Sequence, residues 1–149
     1  VNLDVEELVD IENIKKLICR IRNDFGEDFT ITMAPVAYTM ESDVKGLGGF
    51  VYKELYNSNE GKMIDWFNCQ CYDPFSLETY KKIINNGYPE NKIVMGMMSG
   101  QFNDNSFVDI VRSVKDDYPD VCGFYDWEYL NAPPNHEDPS EWADLIKNA

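Results

Sequence analysis

The first six residues, Val1-Asn2-Leu3-Asp4-Val5-Glu6, alternate between apolar and polar side chains. Period-two alternation reads as a strand, with Val1, Leu3 and Val5 on one side and Asn2, Asp4 and Glu6 on the other. Its two carboxylates, Asp4 and Glu6, then stand one pleat apart, roughly 6.5–7 Å along the strand, close enough for each to feel the other's charge. A helix follows. Asp10 is placed as its N-cap, Ile11, Ile14, Leu17, Ile18, Ile21 and Phe25 recur at helical spacing, and Gly26 stops it. Further strands are expected over Phe29–Pro35, Ile64–Tyr72, Lys92–Ser99 and Val121–Trp127. Helices are expected near Tyr52–Tyr56 and over Pro74–Asn86, Ser106–Tyr118 (capped by Asn105) and Pro139–Lys147.

Strand, loop and helix thus recur about every 28 residues, near the length of one βα unit. Alternating strands and helices imply an α/β fold on a parallel sheet. An open doubly wound sheet fits that alternation, but no glycine-rich turn joins a strand directly to a helix to hold phosphate. Gly46-Leu47-Gly48-Gly49 reads as loop. Polar and aromatic side chains instead gather at strand C-termini: Asp4 and Glu6, Gln70 and Tyr72, Ser99, and Trp127. That is where a (β/α)8 barrel carries its active site, and such a barrel takes about 250 residues. The chain has 149 residues, enough for four full units and part of a fifth. The expectation is therefore the C-terminal portion of a TIM barrel, with residues 1–149 forming part of a catalytic domain and the N-terminal strands lying outside this chain.

Composition narrows the partners. Hydrophobic content of 44% and aromatic content of 13% support a packed core. Thirteen Lys and Arg against 27 Asp and Glu leave a net charge of −14, which repels nucleic acid and anionic membranes but not a neutral glycan. No apolar run approaches the roughly 18 residues of a membrane span. The four cysteines, Cys19, Cys69, Cys71 and Cys122, form no CxxC pair, and His136 is the one histidine. They read as buried free thiols, Cys69 and Cys71 facing the same way under helices, and no metal or cofactor is expected. Met95, Met97 and Met98 read as packing; Phe50, Tyr52 and Tyr56 read as a local packing cluster, with the lining of a subsite as the alternative.

Four segments, in order, resemble the family 18 glycoside hydrolases, with particular likeness to fungal endo-β-N-acetylglucosaminidases and related chitinases. Val1-Asn2-Leu3-Asp4-Val5-Glu6 is similar to the last six positions of the D-G-x-D-x-D-x-E signature ending the family's fourth strand. Ile31-Thr32-Met33-Ala34-Pro35-Val36-Ala37 resembles its fifth strand. Ile64-Asp65-Trp66-Phe67-Asn68-Cys69-Gln70-Cys71-Tyr72 resembles its sixth, usually I-D-W-Y-N-x-Q-F-Y. Gly123-Phe124-Tyr125-Asp126-Trp127-Glu128-Tyr129-Leu130-Asn131 resembles its eighth, commonly G-V-M-G-W-E-Y-F-N, and Glu141-Trp142-Ala143 echoes the last helix.

The resemblance implies endo-acting hydrolysis of the β-1,4 bond between N-acetylglucosamine units, in chitin or an N-glycan core, by a secreted enzyme whose only partner is that glycan. It implies substrate assistance, with the N-acetyl oxygen of the bound sugar as nucleophile, an exception to the two-carboxylate scheme. By position Glu6 would be the acid, helped to hold its proton by the like charge of Asp4. Asp4 would bond the acetamide N–H and Tyr72 the acetamide oxygen. Gln70 would contact the same sugar, and Trp127 would lie beneath it. Asp126 and Glu128, flanking Trp127, should face away from the site. One position departs from the signature: its middle Asp is Asn2 here, which implies reduced or pH-shifted activity. A glycan-binding barrel without turnover, and an inactive fragment, remain as alternatives.

Overall fold

The computed structural model describes residues 1–149. Five strands run in the order β1 (Asn2–Leu3), β2 (Thr32–Met33), β3 (Trp66–Gln70), β4 (Ile93–Met98) and β5 (Gly123–Trp127), and each neighbouring pair is parallel. Helix α1 (Ile11–Phe25) connects β1 to β2; α2 (Tyr38–Glu41) and α3 (Tyr52–Asn57) lie between β2 and β3. Helix α4 (Leu77–Asn85) precedes β4, α5 (Phe107–Asp117) precedes β5, and α6 (Ser140–Asn148) closes the chain. The expected α/β fold with a parallel sheet is present. α2 was not expected: it has no side-chain N-cap and spans four residues, too short for a helical period to show.

Local signals explain most boundaries. The Asp10 side chain accepts from Glu12 N–H at 2.9 Å, and Gly26 ends α1 at φ 86°, in the left-handed region that favours glycine. Ser76 caps α4 by accepting from Thr79 N–H at 3.2 Å. The expected Asn105 cap is displaced: Ser106 is the N-cap, and Asp104 Oδ1 accepts its N–H at 2.9 Å. The ladders of β1 and β2 are shorter than the alternation suggests. Ala34 N–H still donates to Leu3 O, but Pro35 has no N–H to continue the row.

The two sheet faces have separate jobs. In β3, Phe67 and Cys69 are buried beneath the helices while Trp66, Asn68 and Gln70 point the other way. Ile14, Ile18, Met33, Ile83, Ile93, Met95, Met97, Val111 and Val114 complete the helix-side core. The α1 stripe is shifted from its expected line: Leu17 and Phe25 are 43% and 63% exposed, and Arg22 is buried instead. Its two terminal guanidinium nitrogens donate to the carbonyls of Gly26, Glu27, Phe29 and Met63, which offsets much of the cost of burial, while its Nε is buried without a partner. All four cysteines are free; Cys69 and Cys71 are buried, whereas Cys19 is half-buried and Cys122 exposed, contrary to the expectation for those two. Met98, Phe50 and Tyr52 follow the same division, the first partly exposed and the other two buried in the core.

Candidate active site

Because the strands are parallel, their C-terminal ends share one edge of the sheet. A cleft of about 620 Å³ opens along it, lined by Asn2, Asp4, Glu6, Ala34, Asn68, Gln70, Tyr72, Tyr125 and Trp127. All six residues singled out from the sequence stand in this one cleft. Asn2 lies in β1, Asp4 and Glu6 follow it, Gln70 ends β3, Tyr72 comes two residues later, and Trp127 ends β5. Alternation carries Asn2, Asp4 and Glu6 to the cleft side together, and does the same for Asn68, Gln70 and Tyr72.

Polar contacts grade from a tied floor to an open rim. Asn2 Oδ1 accepts from Thr32 Oγ1 at 2.8 Å and from Asn68 Nδ2 at 3.1 Å, and Trp66 Nε1 donates to Asn68 Oδ1 at 3.0 Å. One step higher, Gln70 Nε2 donates to Ala34 O at 2.8 Å and to Asp4 Oδ1 at 3.4 Å. Glu6 is exposed at the rim, and Trp127 is 59% exposed with its ring on the cleft. Across from Asp4, the Tyr72 and Tyr125 hydroxyls lie 3.2 Å apart. Burial, opposed by the hydrogen bond with Tyr125 and aided by the charges of Asp4 and Asp126, pushes the Tyr72 phenol above its ordinary pKa. It therefore keeps a proton to donate at neutral pH.

Three residues need separate comment. Ser99, grouped by position with the strand-end polar residues, is outside the cleft; its hydroxyl lies 2.7 Å from Asp126 Oδ2. Asp126 and Glu128 do not line the cleft, as their parity requires; Glu128 Oε1 accepts from Asn131 Nδ2. Tyr125 does line it and was not singled out from the sequence. Its signal was the parity it shares with Trp127, two residues on. No group of three or more His, Cys, Asp or Glu side chains is arranged to hold a metal ion.

Nearly the whole chain superimposes on solved structures. A fungal endo-β-N-acetylglucosaminidase from glycosyl hydrolase family 18 is 35% identical at a TM-score of 0.86, over 97% of this chain and 54% of that one. The chain is related to the family 18 glycoside hydrolases. A second likeness is to chitinase ChiC from Aspergillus fumigatus, 30% identical at a TM-score of 0.81, covering 99% of this chain and 56% of that one. A protein from Streptomyces coelicolor, 15% identical at a TM-score of 0.72, shares the fold. This chain spans just over half the length of the first two of these structures. No protein-family model matches it, and no curated protein does. No helix is long and apolar enough to cross a membrane.

Proposed function

We propose that this chain supplies the catalytic wall of a retaining, substrate-assisted glycoside hydrolase that cuts β-1,4 bonds between N-acetylglucosamine units. The observation that carries this reading is the convergence of Glu6, Asp4, Tyr72 and Trp127 on one cleft at the C-terminal edge of a parallel sheet. In this reading residues 1–149 are the second part of a (β/α)8 barrel, from the end of its fourth strand to its last helix. The remaining strands pair with the free edges of β1 and β5, and the enzyme works outside the cell.

The roles are those the family resemblance implies, and the position of each residue in the cleft supports them. Glu6, exposed at the rim, reaches the glycosidic oxygen and gives it a proton as the C1–O bond breaks. The acetamide oxygen of the same sugar attacks C1 and closes an oxazolinium ring. Asp4 accepts from the acetamide N–H and faces the positive charge as it forms, held in place by Gln70 Nε2. Tyr72 donates its hydroxyl to the acetamide oxygen and orients it for attack. Trp127 offers its indole face to the C–H face of the pyranose. Water then attacks C1, Glu6 takes its proton, and the product keeps the β configuration. Asn2 supports the floor through Thr32 and Asn68. Likeness to the fungal endo-β-N-acetylglucosaminidase favours the N-glycan core over chitin.

A second reading has one observation in its favour. Asn2 stands where the family signature has an Asp, and its amide cannot share a proton with Asp4. In that reading the cleft holds the glycan without cutting it. Incubating the intact protein with a defined N-acetylglucosamine oligosaccharide, and following the first-formed anomer by NMR, separates the two. Release of a β-anomer supports the hydrolase; binding without release supports the second reading; release of an α-anomer contradicts the mechanism.

A further inference from the structure

In the sheet register, Gln70 of β3 faces Gly96 of β4, and Gly96 faces Tyr125 of β5. The middle position carries no side chain. A Cβ on Gly96 would overlap both the ring and the hydroxyl of Tyr125. The Tyr125 ring therefore lies across the gap in β4, over its glycine partner, and reaches toward β3. There it meets Tyr72 edge-on, with ring centroids 6.4 Å apart at 75°, and the two hydroxyl oxygens come within 3.2 Å.

Two phenols sharing one hydrogen bond have one proton left over. Each oxygen can donate once and accept twice. Neither hydroxyl has another protein partner. If Tyr125 donates, the Tyr72 proton is free to point into the cleft; if Tyr72 donates, it is not. Burial raises both phenols above the ordinary range, so both stay protonated, and the ring that crosses Gly96 brings the Tyr125 hydroxyl onto Tyr72 as its one protein partner, an arrangement in which Tyr125 can donate. A hydroxyl that accepts a hydrogen bond also becomes a stronger donor through its own O–H.

We propose that Tyr125 is a positioning residue: its phenol donates to the Tyr72 oxygen across the Gly96 gap and so aims the Tyr72 proton at the acetamide oxygen of the bound sugar. The inference rests on the hydrolase reading for the identity of that sugar. It adds a residue that touches no reacting atom and acts through Tyr72 alone. Where the eighth strand of the family commonly has Met, this chain has a second hydroxyl in the cleft.

The test is a double-mutant cycle read by calorimetric binding of an N-acetylglucosamine oligosaccharide to the intact protein in a Glu6→Gln background. Tyr125→Phe keeps the ring over Gly96 and removes only the hydroxyl. It is expected to weaken binding about three- to tenfold when Tyr72 is present, the worth of one neutral hydrogen bond, and by less than about twofold in Tyr72→Phe. No loss in the presence of Tyr72, or the same loss in both backgrounds, overturns the proposal. Turnover by the protein with Glu6 intact is measured beside it. Coupling without turnover keeps the Tyr125 role and removes the hydrolase; turnover without coupling does the reverse. No binding at all by the Glu6→Gln protein overturns the Tyr125 role, and the absence of turnover beside it overturns the hydrolase as well.

Discussion

Gln70 and Asp4, 66 residues apart in sequence, meet at the mouth of the sheet, where Gln70 Nε2 donates to Asp4 Oδ1 at 3.4 Å. The same amide nitrogen donates to Ala34 O at 2.8 Å, so one side chain on β3 sets the position of a carboxylate that follows β1. Replacing Gln70 by Leu removes both bonds while keeping comparable bulk. The expected result is a roughly tenfold fall in kcat/KM, on the order of the loss of one hydrogen bond to a charged group, with Tm lowered by only a few degrees. Steady-state kinetics and calorimetry of the intact protein check both.

Trp127 is 59% exposed and lines the cleft. In the proposed mechanism, truncation to Ala removes a platform that touches the sugar in the ground state and the transition state alike. KM should rise by about tenfold or more, while kcat falls less. Because little of the indole is buried, the melting temperature should stay within about 2 °C of the wild type. A large fall in Tm would place Trp127 in the core instead.

Asp126 is held for a different reason. Its Oδ1 is buried without a partner while Oδ2 lies 2.7 Å from Ser99 Oγ. Burial pushes its carboxyl pKa up against the opposing pull of the Ser99 hydrogen bond. A carboxyl whose folded pKa is raised favours folding in its protonated form, and that contribution is lost as pH rises through the raised value. Asp126→Asn should therefore melt higher than the wild type at about pH 7, and the gap should close toward about pH 4. Melting curves at several pH values decide it; a gap that widens on acidification reverses the sign and contradicts the assignment.

Much of the cleft was legible because a strand sorts its side chains by parity. Val1 to Glu6 alternate, so Asn2, Asp4 and Glu6 had to share a face, and Asn68, Gln70 and Tyr72 likewise. The order of the parallel strands followed from alternation with helices. What stayed hidden depends on register between strands. Nothing local marks Gly96 as the gap beneath Tyr125, because that pairing links residues on different strands. An aromatic on a strand suits a core as well as a cleft, so Tyr125 carries no mark in the sequence beyond the parity it shares with Trp127. Ser99 was grouped with the cleft for its place at a strand end, yet its hydroxyl turns to Asp126. The Arg22 exchange with Leu17 and Phe25 was equally invisible, since the carbonyls that accept from Arg22 come from two other segments.

Asn2 accepts from Thr32 Oγ1 and Asn68 Nδ2 through its amide oxygen, bonds that a carboxylate could also accept. Asn2→Asp should fold normally for that reason. It adds a charge beside Asp4 and a site that can share a proton with it. The alkaline limb of the pH–rate profile should move to higher pH, and turnover should increase. Overlapping profiles would make Asn2 a neutral replacement; turnover found only in the variant would favour the glycan-binding reading.

The central claim is that Glu6 transfers the proton that releases the leaving sugar. Its side chain is exposed at the rim, so replacement by Gln leaves the packing and the shape of the cleft unchanged. The decisive measurement pairs kcat with calorimetric affinity for one N-acetylglucosamine oligosaccharide, in the intact protein and its Glu6→Gln variant. The account predicts kcat lower by about 10²- to 10⁴-fold with affinity held within about threefold. Hydrolysis at the wild-type rate in Glu6→Gln would contradict it.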